Sequence, residues 1–291
     1  TLDIKNLSKR EDIGYSTVER IVKNRNYAYL FPDKNNFPVN AGIDEFAQKK
    51  GRGNFCVLIA NNDTKKPFDV LPSRDEEELD RYFNSIPKET RDNTQSFTLD
   101  MWKIFIKLVK KYFPNAKIIV DRFHVMKCLL KCIDKTRRRL QKIIAKDRSE
   151  KLKDLRWIIL KNNENLTLEE KEKLYFAFEC SKGIKEMYEL KENIRAVFEK
   201  KMSKEEARKK LRTLVSKAKE INDKSIKSFI KTYNTFEDYI LNYFDNRQSN
   251  GLLEGMNNKI KLIKRVAYGM PNFINFSARI LWTFNCNHSP I

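Results

Sequence analysis

The sequence predicts an α/β protein: a mixed β-sheet built from three consecutive short strands and two later ones, interrupted by a large all-helical segment. Three observations carry this reading. Strand-like patterning recurs at Val39 to Phe46, Asn54 to Asn61 and Phe68 to Leu71, between turn residues such as Gly51, Gly53, Asn61 and Asp63. Two further apolar runs, Ser96 to Leu99 and Ala116 to Val120, each follow a stretch with helical spacing. From Val125 to Phe244 the chain is almost wholly helical and rich in lysine.

At the front, Leu7 to Asn24 reads as a polar helix, a turn at Gly14, and a short helix with Ser16 as its N-cap and Val18, Ile21 and Val22 turned inward. That is the layout of a helix-turn-helix, whose second helix can enter a major groove. A plain helical hairpin has the same pattern, and both readings stay open. After Phe31-Pro32 and Phe37-Pro38 the three strands form a meander. Arg74 to Ile86 then carries acids early and Leu79, Tyr82, Phe83 and Ile86 at helical spacing, and Met101 to Phe113 is a second helix. The resulting order β, β, β, α, β, α, β is how a ribonuclease H-like mixed sheet is strung. Within the helical stretch, Thr167 before LEEKEKL and Ser203 before KEEARKKL are capping signals. No internal repeat supports a solenoid.

The chain has 291 residues, with 59 Lys plus Arg against 39 Asp plus Glu, a formal net charge of +20. Such an excess must be tolerated against self-repulsion, and a polyanionic partner explains it. A membrane surface is the competing anion, but the lack of a long apolar run, a signal peptide and a lipidation motif makes a soluble, cytoplasmic chain the better reading. Cys56, Cys128, Cys132, Cys180 and Cys286 form no CxxC, which argues against a disulfide framework or a zinc knuckle. Cys128 and Cys132, one helical turn apart, read as buried thiols.

Asp44 lies in mid-strand in AGIDEF, where a buried carboxylate needs a partner; a divalent cation would supply one. Asp100 closes the fourth strand in SFTLDM, and in this fold the first and fourth strands are neighbours. Crowded carboxylates are costly unless metal or a proton sits between them. Alone, each aspartate also reads as a strand-end or capping residue, Asp100 for the helix beginning at Met101. Asp121 and His124 in DRFH follow the fifth strand. They read either as accessory groups beside a metal site or as a capping pair. His288 carries no functional expectation.

The helix expected from about Leu252 puts Glu254, Asn257, Lys261 and Arg265 on one face and Met256, Ile260, Ile263 and Ala267 on another. A carboxylate followed by two cations fits a helix that delivers a metal ligand and then runs along phosphate. The same pattern describes a solvated amphipathic helix. Clusters at 135–139, with Arg137 and Arg138, and at 259–265 would supply the electrostatic footprint for DNA. Trp157, among Leu155, Ile158 and Ile159, reads as a core residue more readily than as a stacking platform for an unpaired base.

The strings GIDEFA, SFTLDM, FPNAKIIVDRFHVMK, ILKNNENLT and SNGLLEGMNNKIKLIKRVAYGMPNFINFSARIL, in that order from about Asn40 to about Trp282, resemble the bacterial insertion-sequence transposases of the ISL-three group. The resemblance implies a DDE transposase with a helical insertion before its glutamate, acting with Mg²⁺ or Mn²⁺ on the DNA ends of its own element. It assigns the catalytic, metal-holding acids to Asp44, Asp100 and Glu254. DRFH is similar to a [C/D]-x-x-H signature of related transposases, which gives Asp121 and His124 an accessory role and makes Asp121 the substitute should Asp100 not be the second acid.

The organisation so implied is a helix-turn-helix remnant at 1–36, the first part of a ribonuclease H-like catalytic domain at 37–125, the helical insertion at 126–245, and helices completing the catalytic domain at 246–291. The partners implied are double-stranded DNA and further copies of the chain, in a bacterial, nucleoid-associated setting. The group's upstream cysteine-rich module has no counterpart here. The competing readings are a catalytically silent DNA-binding remnant or repressor, and a nuclease that cuts without joining.

Overall fold

Alternating apolar residues become strands and amphipathic runs become helices in a computed structural model. It describes residues 4–27, 30–48, 55–144, 150, 152–221, 223–248, 251–267 and 272–285. Five strands form one mixed sheet: β1 (Asn40–Ala47), β2 (Phe55–Asn61), β3 (Lys66–Leu71), β4 (Ser96–Leu99) and β5 (Lys117–Val120), in the order β3-β2-β1-β4-β5. β1 pairs antiparallel with β2 and parallel with β4, and β2 pairs antiparallel with β3. The described chain divides into two units, residues 1–118 with 250–291, and residues 119–249.

In the first unit the sheet is covered on both faces, which is why its strands read as apolar runs. One face meets α3 (Glu76–Asn84) and α5 (Lys103–Tyr112) through an aromatic cluster. There Phe113 lies 4.7 Å from Phe97 and 5.4 Å from both Phe37 and Phe83, ring centre to ring centre. The other face presents Phe46, Cys56, Leu58, Ala60 and Val70 to α13 (Gly251–Val266) and α14 (Phe273–Asn285), which answer with Leu253, Met256, Ile260, Ile263, Phe276, Ile280 and Leu281. Burying an apolar cluster of this kind contributes about 2 kcal/mol per large side chain before conformational entropy is subtracted.

At the front, α1 (Ile4–Arg10) and α2 (Tyr15–Tyr27) flank a turn in which Asp12 adopts a positive φ of 50°. Ser16 is not the cap: α2 opens on Tyr15, and the Gly14 carbonyl accepts from the Thr17 and Val18 amides. Val18 is buried, but Ile21, expected inward, is exposed; the Val22 side chain lies outside the described residues. A short polar helix, α4 (Lys88–Asn93), precedes β4.

The second unit is helical beyond its share of β5: α6 (Arg122–Gln141), α7 (Leu155–Leu160), α8 (Leu168–Cys180), α9 (Lys182–Glu199), α10 (Lys204–Ala218), α11 (Lys224–Leu241) and α12 (Tyr243–Asn246). α6 packs along α9 and α11. Thr167 and Ser203 cap α8 and α10 in full capping boxes with Glu170 and Glu206, as expected. Trp157 is corrected: Leu155, Ile158 and Ile159 take the buried side of α7 and leave the indole 60% exposed, with the Arg156 guanidinium 4.8 Å from its ring centre. No helix among the described residues is long and apolar enough to cross a membrane.

Candidate active site

The register of β1 and β4 brings the two aspartates together. Asn40 pairs with Ser96, Ala41 with Phe97 and Gly42 with Thr98. Two residues further along each parallel strand come Asp44 and Asp100, so the same offset sets them opposite one another as β4 ends at Leu99. Both are half-buried. Because side chains alternate along a strand, Gly42, Asp44 and Phe46 share the face covered by α13.

Glycine at position 42 lets that helix come close. A Cβ there would lie 2.5 Å from Leu253 Cδ1, 2.9 Å from Asn62 Oδ1 and 3.1 Å from Thr98 Oγ1. One turn along α13, Asn257 Nδ2 donates to Asp44 Oδ2 over 2.8 Å. Lys264 Nζ then donates to the Ala47 carbonyl at the end of β1. The 11 residues from Leu253 to Lys264 rise roughly 16 Å, and the five from Gly42 to Ala47 extend roughly 16 Å. Helix and strand therefore run side by side in the same direction.

Hydrogen bonds orient both carboxylates. Asp44 Oδ1 accepts from the Glu45 amide over 2.8 Å, and Asp100 Oδ1 accepts from the Trp102 amide over 2.9 Å, just ahead of α5. Asp100 is not the cap of a helix beginning at Met101: α5 begins at Lys103 with Trp102 as its N-cap residue, and Asp100 holds the Trp102 amide with one of its two oxygens. Arg74, which sequence reasoning did not single out, pairs with Glu45 over 2.5 Å, and its guanidinium lies 5.5 Å from the Trp102 ring centre. It links the two residues whose amides donate to the aspartates.

Glu254 is exposed in the first turn of α13, where the positive end of the helix dipole favours a carboxylate. It follows Leu253, and it lies one turn before Asn257. The expected polar face of α13 needs one correction: Asn257 is buried, 8% exposed, against Asp44, and Asn258 takes its place beside solvent. The exposed series is therefore Glu254, Asn258, Lys261 and Arg265, with Lys261 Nζ donating to Asn258 Oδ1 over 3.2 Å.

Among the described residues, no three His, Cys, Asp or Glu side chains are gathered closely enough to hold a metal ion. The donor chemistry itself suits a hard divalent cation, since all three candidate acids offer oxygen. Asn257 Oδ1, buried next to Asp44, has no hydrogen-bond partner among the described residues. That is an acceptor for which the apolar face of α13 gives no reason.

The remaining candidates lie in the second unit. Asp121 is the buried N-cap residue of α6, and its side chain makes no cap bond; His124 is half-buried one turn on. Arg137, expected to face DNA, is buried: Nε and Nη2 donate to Asp134 Oδ1 over 3.0 and 2.7 Å, and Nη1 donates to Gln141. Arg138 is 61% exposed and pairs with Asp134 Oδ2. Burial alone would raise the Asp134 carboxyl, but the two guanidiniums outweigh it and hold it below the ordinary carboxylate range. Cys132 is buried, and its hydrogen bond to half-buried Cys128 draws that thiol down to about 7. His288 and Cys286 lie outside the described residues.

A family model described as a transposase matches residues 41–280. The transposase of insertion sequence element IS1001 from Bordetella parapertussis is 24% identical over 280 residues, covering 95% of this chain and 68% of that protein. The transposase of IS1557 from Mycobacterium tuberculosis is 26% identical over 254 residues, covering 78% of this chain and 56% of that protein. A 54-residue stretch, 19% of the chain, is 43% identical to a protein named ATP-dependent protease in Lactococcus lactis, too little to carry an argument. Fold and comparisons together define an insertion-sequence transposase as the class. The chain belongs to the ISL-three family of DDE transposases.

Proposed function

We propose that this chain cleaves and rejoins phosphodiester bonds at insertion-sequence ends on a ribonuclease H-like sheet, using Asp44, Asp100 and Glu254. The observation that carries the reading is the register of β1 and β4, which sets Asp44 opposite Asp100 while the Asn257–Asp44 bond seats the helix of Glu254 beside them. The strand order β3-β2-β1-β4-β5, with β2 antiparallel and β4 parallel to β1, supports the same reading.

Mg²⁺ or Mn²⁺ held by these three acids would supply the positive charge for a two-metal phosphoryl transfer, activating water or a 3′-hydroxyl and stabilising the leaving oxygen. The chain's own residues orient the acids: the Glu45 and Trp102 amides fix Asp44 and Asp100, and Lys261 and Arg265 offer cations for backbone phosphate on the exposed face of α13. Asp121 and His124 take the accessory role, residues 126–245 are the helical insertion, and α1 and α2 are the helix-turn-helix remnant. Double-stranded DNA is the partner, copies of this chain assemble on paired ends, and the setting is the bacterial nucleoid.

The test is Mn²⁺-dependent nicking and strand transfer on element-end DNA by Asp44→Asn, Asp100→Asn and Glu254→Gln proteins. Each is expected to lose both reactions and keep its DNA affinity. Full activity in one of them removes that residue from the site. A wild-type protein that binds DNA without cutting it favours the silent DNA-binding reading, and cutting without joining favours the nuclease.

A further inference from the structure

We infer that Asn257 is a positioning residue that sets the metal-binding carboxylate of Asp44, and not a contact to DNA. The inference rests on the site proposed above.

Asn257 stands in a row of apolar side chains, with Leu253, Met256, Ile260 and Ile263 buried around it on the same helix. An amide in such a row is costly unless its hydrogen bonds are made. Here only half of them are: Nδ2 donates to Asp44 Oδ2 over 2.8 Å, while Oδ1 has no hydrogen-bond partner among the described residues. For stability, a leucine of similar volume would remove the unmet Oδ1 and cost only the bond to Asp44, which is half-buried and within reach of water. The residue makes sense as a device acting on Asp44.

Its action is geometric. Asp44 Oδ1 already accepts from the Glu45 amide, and the Asn257 bond to Oδ2 fixes the second oxygen, so the carboxylate plane is held from both sides. Partners of this kind orient metal ligands, and losing one typically weakens metal binding about 10- to 100-fold. The unused Oδ1 beside the carboxylate is suited to accept from water held on a cation. Two further ties, Leu253 against Gly42 and Lys264 on the Ala47 carbonyl, hold α13 along β1 without help from Asn257. The amide can therefore be replaced without releasing the helix.

The experiment measures Mn²⁺ affinity of the DNA-free 291-residue chain by electron paramagnetic resonance, for wild type, Asp44→Asn and Asn257→Leu, alongside melting temperature and affinity for duplex DNA. Expected are loss of Mn²⁺ binding in Asp44→Asn and about 10- to 100-fold weaker binding in Asn257→Leu, with melting temperature held or raised and DNA affinity unchanged. Should the leucine variant unfold, Asn257→Ser, too short to reach Asp44, is read the same way. Wild-type Mn²⁺ affinity in the Asn257 variant, with Asp44→Asn defective, overturns the inference and leaves the site standing. So does a loss of DNA affinity with Mn²⁺ binding intact. Undiminished Mn²⁺ binding in Asp44→Asn overturns the site, and this inference with it.

Discussion

Asn257 and Asp44, 213 positions apart in the chain, are joined by a hydrogen bond of 2.8 Å. Around that bond the first unit closes on itself. The helix entering after the whole 119–249 segment lies along the strand that opened the sheet, with Gly42, Asp44 and Ala47 answering Leu253, Asn257 and Lys264 in order. What fixes the position of Glu254 is this seam, because Glu254 itself is exposed.

The seam predicts the effect of Gly42→Ala. Leu253 Cδ1 would stand 2.5 Å from the new methyl, with Asn62 Oδ1 and Thr98 Oγ1 close behind. Overpacking of this kind costs about 1–3 kcal/mol. Asn62 is not free to swing away, since its Nδ2 donates to the Ala41 carbonyl and to Thr98 Oγ1. Leu253 and its helix must give. The variant is expected to lose about 2 kcal/mol in urea unfolding and most of its Mn²⁺-dependent nicking. An alanine variant with wild-type stability and nicking means that the close approach of α13 is not needed.

Two basic segments should separate in their dependence on salt. Lys261 and Arg265 are exposed on α13, and alanine at either is expected to lower the slope of log affinity for duplex DNA against log salt by about one phosphate contact. Arg137→Ala should leave that slope alone and cost about 3 kcal/mol of stability, because Asp134 loses its buried partner. A fall in slope for Arg137→Ala with unchanged stability would place that guanidinium on DNA after all.

The sheet was legible because its strands are short apolar runs between turn residues, and all five observed spans begin and end within two residues of the expected ones. α4 was missed for the converse reason: KETRDN has no apolar residue to set a period. On α13 the buried amide was anticipated on the wrong face. Asn257 and Asn258 are the same residue type and one step of about 100° apart, so composition cannot say which one turns inward. Arg137 did leave a signal, Asp134 standing three residues before it and four before Arg138, the spacing of ion pairs on a helix. The approach of Asp44 to Asn257 left none, since no local pattern spans 213 positions.

Lys191 supports α7 from below, and its loss should be felt there. Fully buried, it donates to the carbonyls of Ile159 and Lys161 at the C-terminal end of that helix and pairs with Glu192 Oε1 over 2.8 Å. Helix ends leave such carbonyls without partners, and a cation suits the negative end of the dipole. Burial pulls the ammonium below its ordinary pKa, and the Glu192 carboxylate works against that fall. Lys191→Met keeps the length of the side chain and removes the donor. A loss of about 2 kcal/mol is expected from urea unfolding, and equal or greater stability in the variant would show that the capping contributes nothing.

Asp69 should make stability depend on pH in a direction opposite to that of most carboxylates. It sits buried on β3, and burial pushes its carboxyl from 3.8 up to about 6, with the Tyr82 phenol, the Val70 amide and the Lys34 ammonium pulling only part of the way back. In the unfolded chain the group titrates near 3.8, so between that pH and about 6 the folded state holds the extra proton. Stability from this residue is therefore present below about pH 4 and falls as pH rises to 6, by about 3 kcal/mol in all. Asp69→Asn cannot ionise, and its Oδ1 can still accept from the Val70 amide, a bond of 2.7 Å in the native carboxylate. The stability of the variant relative to wild type should thus grow from pH 4 to pH 7, measured by urea unfolding at each unit. Parallel curves across that range would mean that Asp69 titrates as an ordinary exposed carboxylate.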